Sequence, residues 1–457
     1  MRSSVGRLAA LVLLAAPAAH SQVAVRNQGY IPFGEPPINY RSDDLHDPVA
    51  SLQAALDRGE KKLEFDPRRG YLPSVLKLLN IPVSSQTLVF SKTSFQYPKI
   101  SPAHPRALYF NDDVYVGSVH EGKAVEIVSF DPTQGAIFYL LDEHEASKPA
   151  FQRAELDCTQ CHIAPGTRGV PGVLLRSVYP TSEGTLIPGA RTFITDQESP
   201  LAERWGGWYL TDLIGTQAGL GNQSAPSSSD TAPSAAAKLE AFPPQFQTAD
   251  YLSASSDEVA HLVLAHQTQM HNLITLTNYK TRIAQFNTPE LQAVQQALQR
   301  PAEQLLRYLL FVNEAPLSGT GANAAAASAF SKDFSQRGPK DLKGRSLRDF
   351  DLNARIFKYR CSYLIYSEAF DHLPEPAKGY VYHRLFEVLS GRDTSADFAH
   401  LSAGERRDIL EILLATKPQL PAEWLEFAKK ERLAVAEVGK ERLASVDQAL
   451  TTLPYAN

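Results

Sequence analysis

The hydrophobic residues of this chain follow two different patterns, one before and one after residue 223. Between residues 87 and 140 they form short runs of leucine, β-branched and aromatic residues, separated by turn-forming Asn, Asp, Gly and Pro. The runs are residues 88–90, 107–110, 114–116, 125–128 and 137–140. Short strands at this spacing are typical of an antiparallel meander. Later runs at 173–178 and 192–194 predict two further strands.

Beyond residue 240 the apolar residues recur every three or four positions, which predicts helices. These helices are expected at 257–286, 289–311, 347–370, 378–389, 403–415 and 421–433. Ser256 is an N-cap candidate for the first, and Pro289 opens the second at its first helical position. Shorter helices are expected earlier, at 49–58 after Asp47 and at 72–79. The predicted fold class is α+β, mainly α, with an antiparallel β meander followed by a largely helical C-terminal half.

The first 21 residues have the features of a secretory signal peptide. Arg2 and Arg7 precede an apolar run at residues 8–16, and Ala19 and Ser21 occupy the small-residue positions before a cut after Ser21. The run is too short to anchor the chain across a bilayer. We therefore expect a periplasmic or otherwise exported protein that is not an integral membrane protein. Loss of the two arginines takes the formal net charge from −5 to −7, which argues against nucleic acid as a partner.

Changes in composition predict the domain organisation. After the signal peptide, residues 22–86 form a Pro-, Gly- and Asn-rich arm with short helices, 87–222 the β-rich region, and 241–457 a helical domain. The Ser/Ala/Pro-rich stretch 223–240 predicts a disordered linker, and 318–328 is a second low-complexity stretch. About 436 residues remain after the predicted cut, which favours two or more domains.

The candidate chemistry is concentrated in Cys158-Thr159-Gln160-Cys161-His162. Two cysteines three positions apart, with a histidine directly after the second, form the attachment signature of c-type haem. Each thiol can add across one vinyl group of the porphyrin, and His162 can then supply the proximal nitrogen to the iron. This pattern predicts one covalently attached haem c, with Cys158, Cys161 and His162 as the binding residues. The proline-containing loop after His162 offers a proline carbonyl that can accept the other imidazole N–H.

Three other readings of the cysteine pair are weaker. A zinc site needs four ligands and usually a second close ligand pair, whereas the remaining cysteine, Cys361, stands alone. A thioredoxin-type dithiol is expected near a βαβ pattern, and antiparallel strands precede Cys158 instead. A plain disulfide is the third alternative. Cys361 lies in the helix predicted at 347–370 and reads as a buried small hydrophobe.

The helix predicted at 257–286 carries candidates for a second axial ligand. Met270 is the sole methionine after the signal peptide, and it lies between His266 and His271. At 100° per residue, Met270 is about 40° from His266 but about 100° from His271, so one haem cannot easily use both Met270 and His271. The scarcity of methionine favours Met270 as the ligand. The alternatives are His266 or His271, or no distal ligand with Met270 in the packing.

Two tryptophans lie within four residues of each other, in Trp205-Gly206-Gly207-Trp208-Tyr209. A porphyrin needs a large apolar surround that excludes water, and indole rings can form part of it. The alternative is that these aromatic side chains belong to an ordinary hydrophobic core. The sequence leaves both interpretations open.

Residues 158–162 resemble the haem-binding motif of the cytochrome c superfamily. A larger part, roughly 150–415, is similar to large exported single-haem bacterial cytochrome c domain proteins of unassigned function, through residues 204–209, 266–272 and 363–367. This chain departs from the compact cytochrome c domain, because a meander precedes the motif and Met270 follows His162 by 108 residues. It also has Gly219-Leu220-Gly221-Asn222 where the similar proteins are associated with His-Met-Gly-Asn, which moves the expected ligand to the helix with Met270.

The expected function is that of an exported monohaem c-type cytochrome, which binds haem covalently and transfers electrons to a redox partner protein in the periplasm. The alternative is a haem enzyme, for instance peroxidase-like, or a gas sensor with an open distal site. The absence of a second haem motif and of a recognisable catalytic constellation favours electron transfer over catalysis.

Overall fold

The computed structural model describes residues 31–212, 219–227, 229–231, 246–317 and 328–435. The predicted signal peptide and most of both low-complexity stretches lie outside the described residues. The described residues all belong to one compact unit. Among the described helices, none is both long and apolar enough to cross a membrane. The domain boundaries at 86, 222 and 240 stay predictions.

An antiparallel sheet occupies the N-terminal half, and the predicted meander is confirmed. The described strands are β1 Thr87–Val89, β2 Arg106–Phe110, β3 Val114–Ser118, β4 Ala124–Asp131, β5 Gly135–Asp142, β6 Gln152–Arg153, β7 Leu175–Val178, β8 Thr192–Thr195 and β9 Trp208–Tyr209. Seven of them pair in the order β6-β5-β4-β3-β2-β1-β9, and β7 pairs with β8. The longest ladder, β4 with β5, closes at a turn in which the Asp131 carboxylate accepts from the Thr133 and Gln134 amides.

Helices dominate the C-terminal half, so the predicted fold class is confirmed. The described α-helices are α1 Pro48–Asp57, α2 Leu72–Leu78, α3 Glu155–His162, α4 Glu258–Asn287, α5 Leu291–Leu309, α6 Ala329–Gln336, α7 Glu368–Asp371, α8 Glu375–Leu389, α9 Ala403–Thr416 and α10 Ala422–Lys430. Most of the predicted helices are found within a few residues of their expected ends. Asp47 caps α1 as expected, accepting from the Val49 and Ala50 amides.

Two helix starts differ from their predicted positions. Asp257, not Ser256, caps α4, because its carboxylate accepts from the Ala260 amide while the Ser256 hydroxyl donates to the Tyr209 carbonyl. The second long helix begins at Leu291 rather than at Pro289. At α4 the hydrogen bond from Ser256 to Tyr209 moves the cap by one residue. At α5 the extended backbone of Glu290 moves the start by two residues.

The helix predicted at 347–370 is wrong. This segment consists of turns, a 3-10 helix at Tyr363–Tyr366 and the short α7. The Asp351 carboxylate accepts from the Asn353 and Ala354 amides, and the Ser362 hydroxyl accepts from the Leu364 amide. Side chains of Asp and Ser compete for backbone N–H groups in this way, and apolar periodicity does not report the competition.

The sheet separates two hydrophobic clusters, because successive side chains on a strand point to opposite faces. On β3, Val114 and Val116 belong to the cluster that packs on α1 and α2, whereas Tyr115 belongs to the cluster around α4. Every residue from 258 to 279 is buried, polar ones included. Helix α4 therefore lies within the protein, and its polar side chains must find partners there.

Candidate functional site

Helix α3 carries the cysteine motif and ends at His162. Cys158 is half-buried and Cys161 is exposed, and both are free thiols. Residues three apart on a helix share a face, so both sulfur atoms are directed to the same side. Ala164 is extended and Pro165 opens a separate 3-10 turn, so the helix stops directly after the motif.

The two cysteines and His162 line one cavity, here called the motif cavity. Its solvent-accessible volume is about 220 Å³, and its mouth is open to solvent. The rest of the wall is mainly apolar and aromatic, and includes Phe110, Tyr115, Phe138, Leu175, Trp208 and Leu264. The seven-stranded sheet, β9 included, supplies one side of this wall, and α3, β7 and α4 supply others. Such a cavity can enclose a large flat apolar ligand next to the two thiols.

The His162 ring is oriented by a backbone carbonyl. Its Nδ1 lies 2.9 Å from the Gly172 oxygen, so Nδ1–H donates and Nε2 keeps its lone pair. Burial lowers the pKa of His162, which favours the neutral imidazole. The Phe138 ring packs 5.0 Å away, centroid to centroid. A neutral imidazole with one nitrogen fixed in this way is ready to ligate a metal through the other.

The carbonyl that accepts the hydrogen bond from Nδ1–H of His162 is not a proline carbonyl. It belongs to Gly172, the residue after Pro171. Gly172 also donates its own N–H to the His162 carbonyl over 3.1 Å, so the two residues form two mutual hydrogen bonds. The loop between them, residues 163–173, is called the post-motif loop below. Its return to His162 fixes the ring orientation, a relation that sequence spacing does not reveal.

A charged pair in the cavity wall was missed by the sequence analysis. Arg106 on β2 pairs with Glu126 on β4, and Glu126 also accepts from Ser94 and Gln96. Among the described residues, the buried Nε of Arg106 has no hydrogen-bond partner. The guanidinium lies against Gly117, where a Cβ would come within 2.4 Å of Nη2. Little in the sequence indicated this pair, because the strands that carry Arg106 and Glu126 were recognised only by their apolar residues.

No protein-family model, curated protein or solved structure matches this chain. The residues of the motif cavity must therefore be assessed by their own chemistry. Two thiols, a neutral imidazole with a free Nε2 and an aromatic wall fit covalently bound haem. The unpartnered Nε of Arg106 is a donor that fits a carboxylate, of which haem carries two. The donor set thus fits haem c.

A zinc site finds no comparable support. In the part of the chain that the structure describes, no group of three or more His, Cys, Asp or Glu side chains is arranged to hold a metal ion. Burial raises the pKa of Cys158 to about 11, so in the protein alone its thiol stays protonated at neutral pH. Cys361 is fully buried in the helical half, and burial raises the pKa of its thiol as well.

His266 is placed away from the motif cavity. Its Nδ1 lies 2.6 Å from the Gln197 side-chain oxygen, and its Nε2 lies 2.7 Å from the Ser362 hydroxyl. The ring stacks on Phe311 at 4.6 Å and on Tyr308 at 5.4 Å. Both ring nitrogens are therefore engaged, one by Gln197 of the β-rich region and the other by Ser362 of the helical half.

Met270 and His271 also do not line the motif cavity. Leu264 and Thr268 are the α4 side chains that reach it, and Met270 lies about 140° around the helix from their midpoint. Met270 is fully buried in the hydrophobic core. His271 stacks on Phe130 at 3.9 Å, and its Nε2 lies 2.8 Å from the Asp112 carbonyl. The structure brings the three motif residues together but places these three distal candidates elsewhere.

The two tryptophans have different roles. Trp208 lines the motif cavity, and its indole N–H donates to the Arg176 carbonyl over 2.9 Å. Trp205 lies in the core with Gly219 against its ring, where a Cβ would come within 2.5 Å. Both rings belong to the hydrophobic core, and Trp208 alone of the two also lines the motif cavity, so its role as part of a haem pocket stays a prediction.

Proposed function

We propose that this protein is an exported monohaem c-type cytochrome, with one haem c attached to Cys158 and Cys161 and with His162 as its proximal ligand. The observation that carries the proposal is that all three motif side chains line one apolar cavity, with Nδ1 of His162 already bonded to Gly172. The motif alone predicts attachment, and the cavity adds a place in which a porphyrin can be enclosed.

Electron transfer is the activity that this arrangement supports best. Bound haem supplies a site that gains or loses one electron. The chain's own part is to exclude water from that site with Phe110, Phe138 and Trp208, and to fix the imidazole through Gly172. An apolar surround lowers the local dielectric, which is one way in which a protein sets the reduction potential of a bound haem. The partner in this proposal is a redox protein of the periplasm, the compartment implied by the predicted signal peptide.

A haem stain after denaturing electrophoresis tests the attachment. The wild-type chain, expressed with export and haem maturation, should stain, because thioether bonds survive denaturation. The double variant Cys158→Ala, Cys161→Ala should lose the stain. Cys361→Ala is the matched control: it removes the remaining cysteine, which is buried outside the cavity, and should stain like the wild type. A stain that persists in the double variant would refute the proposal.

The positions of the distal candidates favour a second function, a haem protein with an open sixth position that binds small ligands, as a gas sensor or peroxidase-like enzyme does. Met270, His266 and His271 are all outside the lining of the motif cavity. The internal segments beyond the described residues contain no His, Met or Cys. The absorption spectrum separates the two functions. Low-spin iron that does not bind carbon monoxide supports electron transfer, whereas high-spin iron that binds carbon monoxide supports a sensor or an enzyme.

A further inference from the structure

Two amide side chains of α4 hold the post-motif loop. Gln269 donates its Nε2 to the Gly166 carbonyl over 2.8 Å. Three residues later, Asn272 donates its Nδ2 to the Val173 carbonyl over 2.7 Å and accepts from the Val173 amide over 3.1 Å. Residues three apart lie on one face of a helix, so both amides face the same loop. Helix α4 therefore contacts the proximal side of the site through hydrogen bonds.

Asn272 acts next to the group that orients His162. Val173 directly follows Gly172, whose carbonyl accepts from Nδ1 of His162 and whose amide donates to the His162 carbonyl. Asn272 also packs on Gly172 itself, since a Cβ there would come within 2.1 Å of Oδ1. A fully buried amide that satisfies both backbone groups of Val173 fixes the peptide plane beside Gly172.

We infer that Asn272 is a positioning residue for the proximal ligand: it sets the Gly172 carbonyl and, through it, the hydrogen bond of His162. This inference rests on the proposed function, because it concerns the electron-donating strength of a haem ligand. A carbonyl that accepts the imidazole N–H increases the basicity of the other ring nitrogen. A weaker N–H hydrogen bond makes the imidazole a poorer donor, which favours the reduced iron.

The deciding variant is Asn272→Leu in the full haem-loaded chain, with the midpoint potential as the readout. Mutation of a ligand's outer hydrogen-bond partner typically costs 10- to 100-fold in metal affinity or activity. Because Asn272 acts on His162 through Gly172, we expect the potential to rise above that of the control by up to about 59 mV, which is a tenfold change for one electron. The matched control is Asn278→Leu, which also removes a buried amide from α4. The Asn278 amide donates to the His372 carbonyl and does not contact the post-motif loop.

A second variant keeps the inference testable if Asn272→Leu does not accumulate. Asn272→Ala removes the same two hydrogen bonds to Val173 without adding bulk or charge, so its potential should rise as in Asn272→Leu. Melting temperatures are measured in parallel, because a purely structural role lowers them without moving the potential. Potentials of both Asn272 variants equal to that of Asn278→Leu would overturn the inference. An unstained wild type would instead refute the proposed function itself.

Discussion

Gly172→Ala is a sharp test of the proximal geometry, because its effect is steric. The φ of Gly172 is outside the left-handed region that favours glycine, so alanine can adopt the backbone conformation. The added Cβ, however, would lie 2.1 Å from Oδ1 of Asn272 and 3.3 Å from Cβ of Thr167. Oδ1 belongs to a side chain held by two hydrogen bonds, so relief of the clash requires their loss.

The expected magnitude follows from those contacts. Leaving the buried Val173 N–H and C=O unsatisfied costs about 1–3 kcal/mol each, or about 2–6 kcal/mol together. At roughly 2 °C per kcal/mol for a long chain, the melting temperature should fall by about 4–12 °C. The absorption bands of the bound haem, which depend on ligation by His162, should broaden or shift in the same variant.

Gly379→Ala supplies a control of opposite sign. Gly379 is an exposed residue inside α8, and a Cβ there has nothing within 4 Å. Alanine at such a position should stabilise the helix by about 1 kcal/mol. Thermal melts followed by circular dichroism check both variants. If Gly172→Ala melts at or above the wild-type temperature with an unchanged spectrum, the contact between Gly172 and Asn272 does not constrain the site.

Three further outcomes are expected. Met270→Leu should retain the wild-type spin state, because Met270 lies outside the cavity wall; a change to high-spin iron would restore it as the distal ligand. His266→Leu should lower the free energy of unfolding by about 1–3 kcal/mol for each stranded partner, Gln197 and Ser362, and an unchanged melt would contradict this. Burial raises the pKa of Asp113 to about 7 in the folded chain, so its ionisation destabilises the protein increasingly between pH 4 and 7. Asp113→Asn should therefore stabilise the protein by up to about 4 kcal/mol at pH 8 and by less at pH 5, since each pKa unit corresponds to about 1.36 kcal/mol. A difference in melting temperature that does not depend on pH would show that the carboxyl is solvated.

The sheet was predictable because its strands are short runs of leucine, β-branched and aromatic residues separated by turn-forming residues. Val114, Tyr115 and Val116 show why: a strand between two hydrophobic clusters has no polar face, so its β-branched and aromatic content identifies it. The edge strand β9 was not predictable, since Trp208-Tyr209 is two residues long and pairs with β1 across more than one hundred positions of sequence. That pairing brings Trp208 to the motif cavity.

The motif residues were predictable from spacing, whereas their supporting contacts were not. Cys158, Cys161 and His162 are adjacent in sequence, so a helix turn is enough to bring them together. The partner of His162 is ten residues away, in a loop whose return depends on Asn272 of a distant helix. Local periodicity carries no information on such long-range contacts.

The distal ligand shows where helical periodicity stops being informative. The spacing of His266, Met270 and His271 gives their mutual angles correctly, but it cannot say which direction around α4 faces the cavity. On a surface helix the polar face reveals this direction. Helix α4 is buried on every side from residue 258 to 279, so its polar residues mark contacts with different neighbours rather than one exposed face. His266 contacts the helical half, His271 the sheet and Asn272 the post-motif loop. On such a helix a histidine is weak evidence for a ligand, because each buried polar group already needs a partner for stability. A single methionine is weak evidence too, because Met270 packs in the hydrophobic core.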